Sequence, residues 1–339
     1  MRVLIWGAGA MGGTIGAYLI RAGHDVTLVD IAADHVAAMN ATGLRLTGPV
    51  DEFTVPARAF TPEALGGTWS AILLCVKAHH TAEATRALAP HLADDGYVVS
   101  IQNGLNELVI ASIVGEARTI GAFVNFGADY LGPGVIHRGN RAAVVIGELD
   151  GRITPRLQAL HATLCDFDDR ARITSNIWGY LWGKLAYGAQ LFATALTNES
   201  IADALALPAY RELFIALARE VLAVATARGI TPEGFDGFDP RAFLPGVDPA
   251  VSSRSLDEMV AFNRASAKTH SGIWRDLAVR KRRTEVDAQL GPIVTLGAEA
   301  GVPTPLTTRL IALIHDIEEG RRAQSLETLD ALNEVLAQA

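Results

Sequence analysis

The first thirty residues place a glycine-rich turn between a short apolar strand and a helix. Residues 2–6 (RVLIW) form a short, mainly apolar run that favours a strand, and the turn GAGAMG follows at once at 7–12. A helical pattern then ends near Gly23, and DVTLVD at 25–30 predicts a second strand. A strand, glycine turn, helix and strand in this order form the unit that binds dinucleotides, so an α/β fold of the Rossmann type is expected.

Each glycine of the turn has its own task in a dinucleotide site. Gly7 permits the tight turn, Gly9 lets a pyrophosphate approach the backbone, and Gly12 lets the helix pack closely on the strand. The N–H groups at the helix start, at Ala10 and Met11, face the phosphates together with the positive end of the helix dipole. A turn without ligand is the alternative, but the complete fingerprint in this context favours a bound nicotinamide dinucleotide.

Asp30 ends the second predicted strand and bears on the choice of cofactor. A carboxylate at this place accepts hydrogen bonds from the adenosine ribose hydroxyls and repels a 2′-phosphate. The next residues, IAADHV, offer only His35 as a cation. The pattern therefore favours NAD(H) over NADP(H), unless Asp30 serves only as the N-cap of the following helix.

Two polar residues follow later predicted strands. Lys77 lies near the end of AILLCVKAHHT (71–81), and Asn103 lies in GYVVSIQNGLNE (96–107). Ligands of parallel sheets gather at the carboxyl ends of the strands, so both side chains are candidates to line the cofactor cleft. The alternatives are a solvated loop lysine and an ordinary Asn-Gly turn.

Composition limits the classes of function. The chain has 339 residues and a formal net charge of −8, so it is long enough for two cores and its charge indicates neither a nucleic acid nor a membrane surface as a partner. No apolar run of about 18 residues predicts a transmembrane helix. Two cysteines without pair spacing predict no disulfide framework and a cytoplasmic location. The adjacent His79 and His80 lack ligand spacing, so no metal is predicted.

The helical and strand patterns divide the chain in two. Residues 1–172 are expected to form the NAD(P)-binding Rossmann domain, completed by a helix near 153–164 and a short strand near ARITS. Residues 173–339 are expected to form an all-helical substrate and catalytic domain. An amphipathic helix is predicted there over 208–229, and further helices are predicted over 255–266, 284–301 and 305–322.

Lys184 stands in the middle of an apolar helix, NIWGYLWGKLAYGAQL (176–191). Apolar residues surround most of its helical wheel, so the helix is expected to be buried. An ammonium in such a place must find a partner, find water or lose its proton. The lysine either extends its amine to the surface or serves a reaction.

Six separated segments resemble the ketopantoate reductase (2-dehydropantoate 2-reductase) family. They are GAGAMG at 7–12, VKAHHT at 76–81, QNGLNE at 102–107, WGKLAYGA at 182–189, TEVD at 284–287 and GVPTP at 301–305. They span nearly the whole chain in one order, which makes the resemblance specific. It implies a Rossmann domain and a helical domain with the active site between them, and the reduction of a 2-oxo acid by hydride from a nicotinamide.

The resemblance also implies roles for single residues. Lys184 would be the general acid, Glu285 would bind the substrate, and Asn103 and Lys77 would hold cofactor and substrate. Hydride that reaches a ketone carbon leaves negative charge on the oxygen, and an ammonium stabilises that charge and donates the proton. An ordinary first-turn helix glutamate is the alternative for Glu285.

Some positions depart from the family pattern. Members usually carry asparagines one and two turns after the lysine, where this chain has Gly188 and Phe192. The family's SSMLQD segment corresponds to HSGIWRDLAVRKRR (270–283), where Ser271 and His270 are the candidate substitutes for substrate contacts. These positions grip the substrate in the family, so the substrate is expected to be ketopantoate or a related small 2-oxo or 2-hydroxy acid.

Two other functions stay open at this point. An opine-type dehydrogenase shares the two-domain plan and would need an added amine for turnover. A non-catalytic NAD-sensing protein would keep the Rossmann domain but would have no use for a proton donor such as Lys184. The apolar helical domain is compatible with a homodimer.

Overall fold

A computed structural model describes residues 1–265 and 269–338, and the chain divides into two compact units. Unit 1 is Met1–Ile177, and unit 2 begins at Trp178. The boundary predicted between residues 172 and 173 falls within a strand, Arg172–Ile173, whose pairing places both residues in unit 1. The predicted division of tasks, with cofactor in the first domain and substrate in the second, stays a prediction.

Within the described residues, all strands and five complete α-helices lie in unit 1. The strands are β1 (Arg2–Trp6), β2 (Asp25–Val29), β3 (Leu44–Thr47), β4 (Phe53–Val55), β5 (Ala59–Phe60), β6 (Trp69–Leu74), β7 (Leu92–Ser100), β8 (Thr119–Val124), β9 (Ala128–Gly132), β10 (Val135–Arg138), β11 (Val144–Glu148) and β12 (Arg172–Ile173). The helices are α1 (Ala10–Arg21), α2 (Ala33–Thr42), α3 (Thr81–Leu88), α4 (Asn106–Val114) and α5 (Pro155–Cys165).

The larger sheet has eight strands in the order β12-β11-β8-β7-β6-β1-β2-β5. Neighbouring strands are parallel except β8 and β11. The chain runs from β1 to β2 on one side and later returns to β6 on the other, so the strand order reverses at β1. Ligands of such sheets bind in the crevice at the carboxyl ends of the strands beside this reversal.

After the exposed Arg2, the β1 sequence is apolar because helices cover both faces of the sheet. Val3 and Ile5 join the core cluster that contains Ile15 of α1, whereas Leu4 joins the opposite cluster with Leu88 of α3. Helices on two faces of a mainly parallel sheet confirm the predicted Rossmann-type α/β fold.

A second sheet of unit 1 has four strands in the order β4-β3-β10-β9. It packs on α1, where a β-carbon added at Gly13 would lie 2.2 Å from Ile136 Cδ1 of β10. The sequence predicts strands near 119–151, but not that two of them, β9 and β10, leave the main sheet while β8 and β11 stay in it. That separation depends on the pairing of β3 with β10, which is distant in sequence.

Unit 2 is helical, as predicted. Its helices are α6 (Ile177–Thr194), whose first residue closes unit 1, α7 (Ile201–Ala206), α8 (Arg211–Ala227), α9 (Pro249–Arg264), α10 (Gly272–Trp274), α11 (Val286–Ala300), α12 (Pro305–Glu318) and α13 (Leu326–Gln338). A π-helical turn, Arg275–Val279, follows α10. None of the described helices combines the length and apolarity that crossing a bilayer requires.

The first turn of α12 is held by a partly buried carboxylate of α8. Glu220 accepts hydrogen bonds from the backbone N–H groups of Leu306 and Thr307, both at 2.8 Å, and from the Thr307 hydroxyl. Burial raises the pKa of Glu220, and these hydrogen bonds oppose that rise. The carboxylate satisfies N–H groups that the helix itself leaves without partners, and so fixes the start of the helix that follows the GVPTP segment.

Candidate active site

The glycine turn lies at the carboxyl end of β1 and is tied to β2. Gly7 has φ of +97°, and a β-carbon there would lie 2.9 Å from the backbone nitrogen of Val76. The N–H groups of Gly7 and Ala8 both donate to Val29 O, at 2.8 and 3.0 Å. Only glycine fits this combination of a left-handed backbone and a close neighbour.

Gly9 and Gly12 have opposite surroundings. A β-carbon at Gly12 would lie 2.1 Å from Gly7 O and 2.8 Å from Cys75 Cβ, so the residue serves the close packing of α1. A β-carbon at Gly9 would meet no heavy atom within 4 Å, and no side chain caps the N-terminus of α1 there. Open space in front of an uncapped helix N-terminus fits the pyrophosphate of a dinucleotide.

His35 holds the glycine turn from the side of α2. Its side chain is buried, with Nε2 3.0 Å from Ala8 O and Nδ1 2.9 Å from the backbone nitrogen of Gly134. Because the Gly134 N–H donates to Nδ1, the ring proton sits on Nε2 and is donated to Ala8 O. The sequence indicated His35 only as a weak cation. In the structure its buried ring is hydrogen-bonded on both nitrogens and links the glycine turn to Gly134.

Asp30 lies just beyond β2 but is not the N-cap of α2. The N-cap residue is Ala32, whose N–H donates to Asp30 Oδ1 at 3.0 Å. Burial raises the pKa of the Tyr130 hydroxyl of β9, and the negative charges of Asp34 and Asp30 raise it further. Two carboxylates, those of Asp34 and Asp30, therefore lie close enough to Tyr130 to oppose a further negative charge at this end of β2.

The loops that carry Lys77 and Asn103 are joined by a buried polar network. Gln102 Nε2 donates to Val76 O at 2.9 Å and to Thr81 Oγ1 at 2.8 Å. Thr81 Oγ1 lies 2.7 Å from Asn106 Oδ1, and Asn106 Nδ2 donates to Asn103 O at 2.6 Å.

This network sets the positions of both predicted side chains. Lys77 and Asn103 are exposed at the carboxyl edge of the sheet, and Lys77 is the residue next to Val76. Sequence analysis missed Gln102, Thr81 and Asn106, although all three fall within the quoted motifs VKAHHT and QNGLNE. They could have been found from the sequence, because they are hydrogen-bonding side chains that follow closely after apolar strands.

In unit 2, Lys184 lies in the middle of α6. No residue of α6 is fully exposed, and Trp182 and Leu185 on either side of Lys184 are nearly inaccessible. Lys184 itself is half-buried. The predicted buried helix is confirmed, and its lysine reaches a partly open face.

Glu285 occupies the residue before α11 rather than its first turn. Its neighbour Thr284 is buried and donates from both its backbone nitrogen and its hydroxyl to Glu318 Oε1, each at 2.7 Å. The Thr284 hydroxyl accepts from the Val286 N–H at 3.3 Å. Glu318, which sequence analysis missed, thus fixes the backbone on which the half-buried Glu285 stands.

Ser271 is buried at the start of α10, where its hydroxyl accepts from the Trp274 N–H at 3.1 Å. The rings of His270 and Trp274 lie 4.1 Å apart, and both residues contact Asn198. Ser271 is therefore the cap of this short helix, and its contact with a substrate stays a prediction. Asn198 is a second residue that the sequence did not indicate.

The basic run RKRR at 280–283 is not part of a helix. Arg280 Nη1 and Arg282 Nε donate to Oδ1 of the buried Asp276, at 3.0 and 2.9 Å. The π-helical turn directly before this run places Asp276 inward, and such turns are frequent at functional sites. Within the described part of the chain, no group of three His, Cys, Asp or Glu residues is arranged to hold a metal.

Comparison with known proteins identifies the family of this two-unit arrangement. Residues 3–151 match the family model for ketopantoate reductase PanE/ApbA, and residues 176–318 match the model for its C-terminal domain. The chain belongs to the ketopantoate reductase family. It is therefore an oxidoreductase that depends on a nicotinamide cofactor.

The similarity to individual relatives extends over nearly the full length of this chain and of each relative. A 2-dehydropantoate 2-reductase of Mesorhizobium japonicum is 28% identical over 96% of this chain and 100% of its own. The crystal structure of a PanE/ApbA family ketopantoate reductase from Ralstonia eutropha is 30% identical, with a TM-score of 0.78 over 95% of this chain and 100% of its own. A D-mandelate dehydrogenase solved with NADH and anilino(oxo)acetate has the same fold at 22% identity, with a TM-score of 0.80 over 94% and 99%.

Proposed function

We propose that this protein is an NAD(H)-linked oxidoreductase that interconverts a small 2-oxo acid and its 2-hydroxy acid, with Lys184 as the general acid. The observation that carries the proposal is the half-buried lysine in the middle of a helix that exposes no residue. Family membership favours this activity over an opine-type dehydrogenase and over a non-catalytic cofactor sensor.

The residues of the chain divide the chemistry between them. A bound reduced nicotinamide supplies the hydride. The Lys184 ammonium stabilises the charge that develops on the keto oxygen and donates its Nζ proton there; in the reverse direction, its neutral amine accepts the hydroxyl proton. Glu285 would bind the substrate. We further propose that Asn103 and Ser271 contact the substrate.

Cofactor binding is assigned to the glycine turn. The space at Gly9 and the uncapped N–H groups of Ala10 and Met11 would receive the pyrophosphate. Asp30 would accept from the adenosine ribose hydroxyls, and Lys77 would contact the cofactor from the next loop.

The preference for NAD(H) over NADP(H) rests on the charge at the end of β2. Asp30 and Asp34 create a negative potential that opposes a 2′-phosphate. His35 is occupied on both ring nitrogens by Ala8 and Gly134 and offers that phosphate nothing. The D-mandelate dehydrogenase was solved with NADH, so the fold itself does not require the phosphate.

Assembly and location are also proposals. One protein of this fold, at 19% identity, is described as a dimeric ketopantoate reductase from Staphylococcus aureus. An apolar helical unit supports a homodimer for the 36.0 kDa chain, which sedimentation velocity would detect as a species of twice that mass. The cytoplasmic location stays a prediction from cysteine content.

The test is a spectrophotometric screen at 340 nm. NADH and NADPH are each offered with a panel of 2-oxo acids that includes ketopantoate, and NAD with the matching hydroxy acids. We expect turnover, with a lower KM for NADH than for NADPH. A lower KM for NADPH would refute the cofactor preference alone. Turnover that requires an added amine would instead establish the opine-type reaction.

A further inference from the structure

The face of α6 that carries Lys184 differs from the rest of the helix. Most α6 residues are buried, but several are only partly buried. Four of these form one line along the helix: Tyr180, Lys184, Gly188 and Leu191. Their spacing of four, four and three residues places them on one side of an α-helix. These four residues, termed here the Lys184 strip, are the partly open side of an otherwise buried helix.

The strip has open space directly after the lysine. A β-carbon added at Gly188 would meet no heavy atom within 4 Å. Gly183, on another side of the same helix, is different: a β-carbon there would lie 2.3 Å from Glu233 O. Packing therefore explains Gly183 but not Gly188. Glycine weakens a helix interior, so its presence at a position with free space indicates room for something other than this chain.

The surroundings of that space are apolar. Leu191 and Phe192 follow Gly188 by about one turn of the helix and are both apolar, whereas Tyr180 lies two turns before Gly188, beyond Lys184. Phe192, on the neighbouring side, is fully buried. The nearby Tyr187 hydroxyl is already bonded to Asn263 Oδ1 at 3.2 Å, and its ring stacks on Phe238 at 5.4 Å between centroids.

A polar substituent placed on this strip would lose hydrogen bonds to water and gain few from the protein. An apolar substituent would instead be removed from water against Leu191, one turn after Gly188, which is favourable. The missing side chain at Gly188 sets how bulky that substituent can be. The strip thus selects for shape and hydrophobicity on the side of the lysine that follows it in sequence.

We infer that the Lys184 strip receives the side chain of a 2-oxo acid whose substituent is bulky, apolar and free of hydroxyl groups, such as a branched alkyl or an aryl group. The inference rests on the proposed function, because it places the keto oxygen at Lys184. In the reaction, C2 gains the hydride and the keto oxygen gains the lysine proton, giving the 2-hydroxy acid. Gly188 is the residue that determines specificity.

The test uses two acids that differ by one hydroxyl, 3,3-dimethyl-2-oxobutanoate and ketopantoate, with pyruvate as a small reference. The wild type is expected to show a kcat/KM for the dimethyl acid at least about tenfold above that for ketopantoate, the order of discrimination that an apolar pocket provides. Phenylglyoxylate is expected to be reduced more efficiently than pyruvate.

Two variants of similar size and different polarity probe the strip. Gly188→Leu fills the space and is expected to lower the dimethyl acid to pyruvate ratio of kcat/KM by roughly tenfold. Gly188→Asn places hydrogen-bonding groups in the space and is expected to move selectivity toward ketopantoate. Circular dichroism and Tm verify that both variants fold. If one variant does not fold, the wild-type preference between 3,3-dimethyl-2-oxobutanoate and ketopantoate still tests the inference.

The outcomes separate this inference from the function on which it rests. If no 2-oxo acid is reduced, the proposed function fails and the inference falls with it. If the wild type prefers ketopantoate, or if the selectivity ratios are the same in both variants as in the wild type, the function stands and the apolar strip is overturned.

Discussion

Gly9 and Gly12 lie in one turn, yet an added methyl group would have different consequences at each. At Gly12 the methyl would collide with Gly7 O and Cys75, and overpacking of this kind costs about 1–3 kcal/mol. Gly12→Ala is therefore expected to lower Tm by several degrees, roughly 2–4 °C per kcal/mol for a unit of this size. Gly9→Ala is expected to leave Tm close to that of the wild type.

Substitution of Gly9 is expected to change cofactor affinity rather than stability. The Gly9 methyl would enter the space proposed for the pyrophosphate, so the Kd for NADH of Gly9→Ala is expected to rise roughly tenfold, which corresponds to about 1.4 kcal/mol. Calorimetry of unfolding and fluorescence titration with NADH measure the two effects. An unchanged Kd in a folded Gly9→Ala protein would show that the dinucleotide does not approach this glycine.

At the scale of single residues, the sequence predicted side chains that act locally and missed those whose partners are distant. The left-handed backbone at Gly7 and the close packing at Gly12 follow from the turn itself, while the task of Gly9 stays a prediction. His35 was misjudged because its partner Gly134 is 99 residues away. Glu318 was missed for the same reason, since it reaches Thr284 across 34 residues. Conformations of three or four residues can be deduced from local rules, but a hydrogen bond between loops needs the tertiary fold.

Among the elements, β10 is joined to the segment after α5 by a buried ion pair. Arg138 and Asp168 are each 1% exposed in their side chains, with Nη2 and Oδ2 3.3 Å apart. The Arg138 guanidinium lies 4.6 Å from the ring centroids of both Tyr18 and Phe167. Burial raises the pKa of Asp168, but hydrogen bonds from Arg141 and Arg170 outweigh this and hold the pKa at about 2.

Asp168→Asn is expected to lower stability at pH 7 by about 3 kcal/mol, the usual cost of breaking a buried pair. The folded pKa lies below the unfolded value near 3.9, so the stability that Asp168 contributes is complete above about pH 4. It is lost as pH falls toward 2. The difference in Tm between wild type and variant should therefore shrink across that window.

Asp169→Asn is the matched control for this element, because Asp169 is 78% exposed and is expected to contribute little. Thermal unfolding at pH 7, 4 and 3 compares the three proteins. Equal effects of the two substitutions, or a difference that does not change with pH, would contradict the role given to the buried pair.

The elements themselves were predicted unevenly. Long periodic helices such as α8 and α12 were found with bounds that differ by a few residues. The short α7 and the C-terminal α13 were not predicted, and neither was the separate four-stranded sheet. Periodicity identifies an element that buries one face over several turns, whereas short helices and sheet partners are decided by packing.

For the whole molecule, the two-domain organisation and the family could be recognised from six separated segments of sequence. The identity of the substrate could not be recognised from the sequence. The residues that replace the family asparagines are Gly188 and Phe192, and neither has a polar group that would indicate which substrate it contacts. Only the structure shows that Gly188 borders open space and that Phe192 is fully buried.

The central claim is that Lys184 supplies the proton while other residues bind the cofactor. The most direct test measures NADH oxidation at saturating 2-oxo acid, and NADH binding by fluorescence, in Lys184→Met. Lys281→Met, at an exposed lysine of the same unit, is the control. We predict that turnover of Lys184→Met falls about 10²–10⁴-fold while its Kd for NADH and the activity of the control stay close to those of the wild type. Turnover of Lys184→Met within a few fold of the wild type would contradict the account.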